Sequence, residues 1–147
     1  MRETAAARPL LSRPEQLLYG RLVRAFPGHV ILAQVALSRI LAADPTVAAR
    51  GQAVTHRAAQ AVLDFVVCRA DFTAVAVVEL EDGARPESAA GREAQRAQTR
   101  KLGLLQAAGI KMVRLAANDL PSELAIKSLV AALPVKSSTA VPVRRAS

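Results

Sequence analysis

Two short apolar segments separated by a polar turn constrain the fold of this chain more than any other feature. The first runs from Val62 to Cys68 and the second from Ala74 to Glu81, and both are rich in β-branched residues. Nearly continuous apolar runs of this length are typical of strands that are buried on both faces. The sequence therefore predicts a β-hairpin at the centre of a sheet that other elements cover on both sides.

Each predicted strand contains an acidic residue where a buried strand should not tolerate one. Asp64 interrupts the first run and Glu79 the second. An isolated buried carboxylate is destabilising by several kcal/mol, or it shifts its pKa until it is neutral. If residues 70–73 form the connection, Arg69 faces Ala74 and Asp64 lies directly opposite Glu79, with the two Cβ atoms roughly 5 Å apart. Two like charges in that position need a compensating cation.

Glu81 strengthens this argument because it lies two residues beyond Glu79 and therefore points to the same side. Three carboxylates on one face of an apolar hairpin suit a hard divalent cation. A register that differs by one residue would put Asp64 and Glu79 on opposite faces. The metal site therefore depends on the turn. The other interpretation of the acids is that they lie at strand ends, solvated and without a function.

The composition describes one globular domain of 147 residues with a formal net charge of +8. A basic excess suits a polyanionic partner such as nucleic acid, although a bias toward Ala and Arg would give the same charge. Cys68 is the only cysteine, so no intramolecular disulfide can form. The N-terminus lacks the apolar core of a signal peptide, and no uncharged stretch is long enough to span a bilayer. We therefore expect a soluble, cytoplasmic protein without membrane contacts.

Helix signals precede the hairpin. Ser12 as N-cap, Pro14 in the first turn and Glu15 as the second half of a capping box predict a helix that ends at Pro27-Gly28. Val30 to Leu37 then predicts a first strand. Glu15 also heads the apolar face of its helix, so a second role directed toward the hairpin acids stays open beside capping.

Further elements follow the hairpin. The pattern predicts a long helix from about Arg92 to Ala108, a strand from Ile110 to Leu115, and a closing helix from Ser122 to Leu133. We expect residues 1–11 to form a flexible arm, residues 12–133 a single domain, and residues 134–147 a disordered basic tail.

Arginines on the long helix form the clearest basic pattern. Arg92, Arg96 and Arg100 fall four residues apart and so share one helical face. Such a face is either solvated or in contact with phosphates. Arg57 belongs to a basic segment, residues 42–61, in which no element is clearly predicted, and it is a further candidate for nucleic-acid contact.

The order helix, three strands, helix, strand, with acids on the second and third strands, resembles the PD-(D/E)XK nuclease superfamily. The chain is also similar to uncharacterised bacterial domains related to very-short-patch-repair-type endonucleases. The resemblance rests on residues 12–18, 63–67, 77–82, 107–110 and 113–114. It implies an α/β fold with a restriction-endonuclease-like αβββαβ core, in which helices flank a central mixed sheet.

The same resemblance implies a site and a reaction. The metal that the resemblance implies is Mg²⁺ or Mn²⁺, which would be held by Asp64, Glu79, Glu81 and Glu15. Its catalytic group would consist of Asp64, Glu79, Glu81, Lys101 and Gln98. The metal would activate a water for attack on a phosphodiester, and Lys101 or Gln98 would orient that water or contact the scissile phosphate.

The implied function is metal-dependent hydrolysis of nucleic acid, as a DNA endonuclease or nickase. The alternative is a catalytically impaired nucleic-acid-binding or adaptor domain that keeps the fold. This alternative stays open because the motif lysine two residues beyond Glu79 is replaced by Glu81. The implied partner is nucleic acid, in particular DNA, and a homodimer or a larger DNA-processing complex is compatible with the resemblance.

Overall fold

Four strands and three α-helices make up the part of the chain that the structure describes. The structure is a computed structural model, and it describes residues 3–41, 60–81 and 87–133. Arg57 and the predicted tail, residues 134–147, lie outside these ranges. In chain order the elements are α1 (Arg13–Ala25), β1 (Val30–Ala36), β2 (Val62–Cys68), β3 (Ala74–Glu81), α2 (Ala89–Ala107), β4 (Lys111–Ala116) and α3 (Glu123–Ala132).

The strands form one mixed sheet in the order β1-β2-β3-β4. β2 pairs antiparallel with both β1 and β3, and β4 is parallel to β3. A parallel pair needs a crossover connection, and here α2 lies within that connection. The predicted α/β class, with a central mixed sheet flanked by helices, is confirmed.

The register of the central hairpin agrees with the prediction in the half that leads to the acids. The observed pairs are Phe65 with Val78, Val66 with Val77 and Val67 with Ala76. Continuing this register by one residue would place Asp64 opposite Glu79. The predicted pairing at the turn is wrong. The register shifts between Val67 and Cys68, so Cys68 rather than Arg69 pairs with Ala74.

A tight turn explains this shift. The Arg69 N–H donates to the Thr73 carbonyl at 2.9 Å, and the Thr73 N–H donates to the Asp71 carboxylate at 2.9 Å. Phe72 between them has a φ of 67°, in the left-handed region that most side chains avoid. The hydrogen bond between Arg69 and Thr73 therefore closes the turn, and the register shift falls where β2 and β3 begin to pair.

The helices cover the two faces of the sheet separately. α1 and α3 pack on one face through Leu18, Leu22, Ile126 and Val130, against a set of strand residues that includes Phe65 and Val78. α2 packs on the other face through Leu105, against a set that includes Val66 and Val77. The alternation of side chains along β2 and β3 separates these two layers.

The buried apolar stripe of each helix is narrow. On α1, Leu17 and Val23 are 49% and 45% exposed. On α2 the buried position is Leu105, whereas Leu102 is 36% exposed. A helix that lies on one side of a sheet buries only a narrow stripe, so the flanking apolar residues remain partly in solvent. Among the described helices, none combines the length and apolar character that a bilayer-spanning segment needs.

Candidate functional site

The candidate site is built around Glu79, a buried acid on a central strand. Glu79 is 4% exposed and is the only polar or charged residue in the buried part of the described core. Its Oε1 accepts a hydrogen bond from the Lys101 Nζ at 2.8 Å. Lys101 lies on α2 one turn before Leu105, so the packing of Leu105 on the sheet brings the ammonium group onto the acid.

Asp64 reaches the same place from the neighbouring strand. The paired part of the β2–β3 ladder ends at Phe65 and Val78. Beyond it, the Asp64 Oδ2 accepts the backbone N–H of Leu80 at 2.9 Å. Because Leu80 directly follows Glu79, this bond holds the two acids on adjacent strands at the same end of the hairpin. The structure thus brings together the pair that the sequence predicts.

Glu81 is engaged differently. Its Oε1 lies 2.8 Å from the Arg114 guanidinium on β4, and both side chains are more than two-fifths exposed, at 42% and 43%. The parallel pairing of β3 with β4 places Arg114 opposite Glu79, on the face that Glu81 shares. Glu81 therefore lies beside the two inner acids with its charge already compensated by an arginine.

Glu15 caps its own helix. Its Oε2 accepts the Ser12 N–H at 2.6 Å, and its N–H donates to the Ser12 hydroxyl at 3.4 Å. The capping box is therefore confirmed. The second role, toward the hairpin, is not supported, because α1 packs on the sheet face opposite to α2. Across residues 3–41, 60–81 and 87–133, no three His, Cys, Asp or Glu side chains lie close enough to share a metal.

Gln98 adds an unusual acceptor next to the pair. It precedes Lys101 by three residues and so lies on the same side of α2. Its amide Oε1 is buried and has no hydrogen-bond partner among the described residues. An unsatisfied buried acceptor is rare and destabilising unless a water or a ligand completes it. An amide oxygen can accept a hydrogen bond from water, whereas it repels a phosphate oxygen, so the chemistry of Gln98 suits water.

The arginine stripe lies on the outer side of α2. At 100° per residue, Arg92, Arg96 and Arg100 project away from the side that carries Gln98 and Lys101. Arg96 and Arg100 are 75% and 59% exposed and lie 3.9 and 3.5 Å from Glu93. Together with Gln95 and Thr99 the three arginines form one exposed face of α2. The structure does not bring them to the acids.

Two groups outside the site have shifted pKa values. Burial raises the pKa of the Cys68 thiol, and the charge of Asp71 adds to the effect. The thiol therefore stays protonated and inert, as expected for a small buried residue. The pKa of Asp71 is lowered, chiefly by the backbone and hydroxyl hydrogen bonds of Thr73. Both shifts belong to the turn and its neighbourhood.

Gln34 is a residue near the site that the sequence patterns do not select. It lies in the middle of β1 with a φ of 55°, and the flanking pairs Ala33–Phe65 and Val35–Leu63 place it opposite Asp64. The signal that could have identified it is a lone amide within an otherwise apolar strand.

Comparison with known proteins gives a family without a known activity. Residues 7–133 match the family described as "Protein of unknown function (DUF2726)". No curated protein and no solved structure matches the chain.

Proposed function

The chain belongs to the DUF2726 family, whose function is unknown, and we propose from its site that it hydrolyses phosphodiester bonds of nucleic acid with a divalent cation. The proposal extends to the restriction-endonuclease-like core, since the order of elements and the place of the acids resemble the PD-(D/E)XK superfamily. DNA is the proposed substrate, as in an endonuclease or nickase. A cytoplasmic location and its reducing conditions fit the single buried cysteine.

The observation that carries the proposal is the placement of Asp64, Glu79 and Lys101 at one end of the hairpin. A buried ion pair contributes little net stability, because the desolvation of both charges offsets their attraction. The side chains of Lys101 and Glu79 are only 11% and 5% exposed. A second carboxylate beside this pair adds further desolvation and repulsion, so the cluster is better explained by chemistry than by folding.

The donor set fits Mg²⁺ or Mn²⁺. The hydrogen bonds between described residues use one oxygen of each acid, Asp64 Oδ2 and Glu79 Oε1. The other oxygen of each is the proposed ligand. Mg²⁺ usually binds one or two carboxylates and keeps several waters or takes substrate phosphate oxygens, so two protein ligands suffice. When bound, the cation would neutralise charge on the phosphate and make a water more acidic.

The remaining groups have distinct proposed roles. The buried Oε1 of Gln98 would accept a hydrogen bond from the attacking water and so orient it. Lys101 holds Glu79 in place and carries the positive charge that an approaching phosphate requires. Glu81, compensated by Arg114, would shape the rim of the site rather than bind the metal.

A binding or adaptor domain without efficient catalysis is the second candidate. The exposed arginine stripe on the outer side of α2 favours it, because this stripe can contact a phosphate backbone independently of the acids. A partner in a larger DNA-processing complex would then supply the activity, and a homodimer would present two such binding surfaces.

The test is cleavage of supercoiled plasmid DNA with Mg²⁺ or Mn²⁺. We expect nicking by the wild type, and a loss of at least about 100-fold for Asp64→Asn and Glu79→Gln, because each removes a ligand charge. Glu123→Gln, on the opposite side of the sheet, is the matched control and should cut normally. If the wild type and all variants retard DNA on a gel but none cleaves it, the binding domain is favoured. If the protein does not bind DNA even at low salt, both candidates are excluded.

A further inference from the structure

Gln34 has a backbone conformation that a strand does not normally contain. Its φ of 55° lies in the left-handed region, which is unfavourable for residues other than glycine and, to a lesser extent, asparagine and aspartate. The pairing on both sides of it is regular, since Ala33 pairs with Phe65 and Val35 with Leu63. No residue is therefore inserted, and the unusual conformation belongs to Gln34 itself.

The consequence is that both strands change face at this point. Ala33 and Phe65 pack in the layer of α1 and α3. Val35 and Leu63, two residues away along each strand, pack in the layer of α2. In a regular strand, residues two apart share a face. The twist at Gln34 thus turns the local part of the sheet.

This twist sets the direction of Asp64, which lies opposite Gln34. Asp64 is flanked by Leu63 and Phe65, which pack on opposite faces. Its carboxylate is therefore directed along the sheet toward β3, where it accepts the Leu80 N–H at 2.9 Å. Gln34 adjoins the acid from the other side, on an edge strand where its own side chain is exposed.

The bend alone does not explain a glutamine. Glycine adopts this conformation without strain. The Gln34 side chain makes no hydrogen bond or ion pair with any described residue. Strained residues that are kept at the edge of a cluster of functional groups are frequently part of that site.

We propose that Gln34 is a substrate-binding residue whose side-chain amide donates a hydrogen bond to a non-bridging oxygen of the phosphodiester bound beside Asp64. The inference rests on the proposed function. The two acids repel an anionic phosphate, and the Lys101 ammonium group that attracts it also forms the ion pair with Glu79, so a neutral donor at the rim supplements Lys101 in holding the phosphate without drawing charge from the acids. The strand register places Gln34 opposite Asp64.

Gln34→Gly separates the role of the amide from that of the bend. We expect its thermal midpoint to rise by about 1–4 °C because the strain is relieved. We expect its kcat/KM for plasmid nicking to fall about tenfold or more, because it can no longer donate a hydrogen bond to a charged group. Mn²⁺ binding, measured by calorimetry, should match that of the wild type. Gln34→Asn, which keeps an amide and tolerates the conformation, should recover part of the rate.

Phe72→Gly is the matched control, since Phe72 is also left-handed but lies in the turn at the far end of the hairpin. It should raise the midpoint and leave nicking unchanged. If the Gln34→Gly variant nicks plasmid DNA with a kcat/KM within about a factor of two of an active wild type, the inference is wrong and the proposed function is unaffected. A lower midpoint or an absence of Mn²⁺ binding also overturns it, because the side chain would then support the fold or the acid. A wild type that neither nicks nor binds Mn²⁺ removes the proposed function together with the inference.

Discussion

Replacing Lys101 with methionine removes the ammonium charge and keeps an unbranched side chain of similar length. Glu79, with a side chain only 5% exposed, then loses its 2.8 Å partner. Breaking a buried ion pair from one side is destabilising by about 3–5 kcal/mol, because the remaining charge is desolvated without compensation. For a chain of this size, this free energy corresponds to a fall of about 6–20 °C in the thermal midpoint.

Removing both charges should give the opposite result. In the double variant Glu79→Leu, Lys101→Met, the buried ion pair is gone, and Asp64 remains as a half-buried acid that accepts the Leu80 N–H. Apolar replacement of a whole buried pair is often neutral or stabilising by about 1–4 kcal/mol. We expect the double variant to unfold within about 1 kcal/mol of the wild type, or at higher urea, and to have no metal-dependent cleavage.

Urea unfolding followed by circular dichroism measures these differences as shifts in the midpoint at constant slope. The exposed pair Arg24–Glu123, with side chains 57% and 43% exposed, is the control. The same double-mutant cycle there should give a coupling below about 1 kcal/mol. If Lys101→Met unfolds like the wild type, the pair is not effectively buried. If the double variant loses as much free energy of unfolding as the two single variants added together, the cluster is structural and the argument for a chemical role is wrong.

Two further predictions concern the turn and the arginine stripe. The lowered pKa of Asp71 means that its charge stabilises the fold above its unfolded pKa of about 3.8 and that this contribution disappears as the pH falls through the lower folded value. Urea midpoints of wild type and Asp71→Ala should therefore differ at pH 7 and converge as the pH falls below the unfolded pKa; a constant difference would contradict this. The slope of log binding constant against log salt concentration measures how many phosphates the protein neutralises. Each single change of Arg92, Arg96 or Arg100 to Gln should make this slope less steep by about 0.9 for each phosphate contact that is lost. Glu93→Gln, which frees two of these arginines, should strengthen binding, and unchanged slopes would show that the stripe is only solvated.

Local sequence was sufficient for the elements themselves. Ser12, Pro14 and Glu15 predict the start of α1, because a cap depends on residues within one helical turn. The β-branched runs predict the two central strands, because a segment without polar residues is stable only when both faces are covered. The register near the acids was also predicted, and with it the proximity of Asp64 and Glu79.

The details of the site required long-range contacts. Nothing in the local pattern pairs Lys101 with Glu79 or Arg114 with Glu81, because these contacts depend on how α2 and β4 dock on the sheet. The register at the turn was wrong for a similar reason, since the left-handed Phe72 redistributes the pairing.

The sequence alone determined that two acids occur on adjacent buried strands, because strand pattern and turn position are local properties of the chain. Only the tertiary structure decided which charges compensate them and how each carboxylate is oriented. Those orientations follow from the packing of α2 and from the twist at Gln34, where the two sheet faces exchange residues. Packing and twist arise from contacts between residues far apart in the chain, and such contacts leave no periodic signal in the sequence.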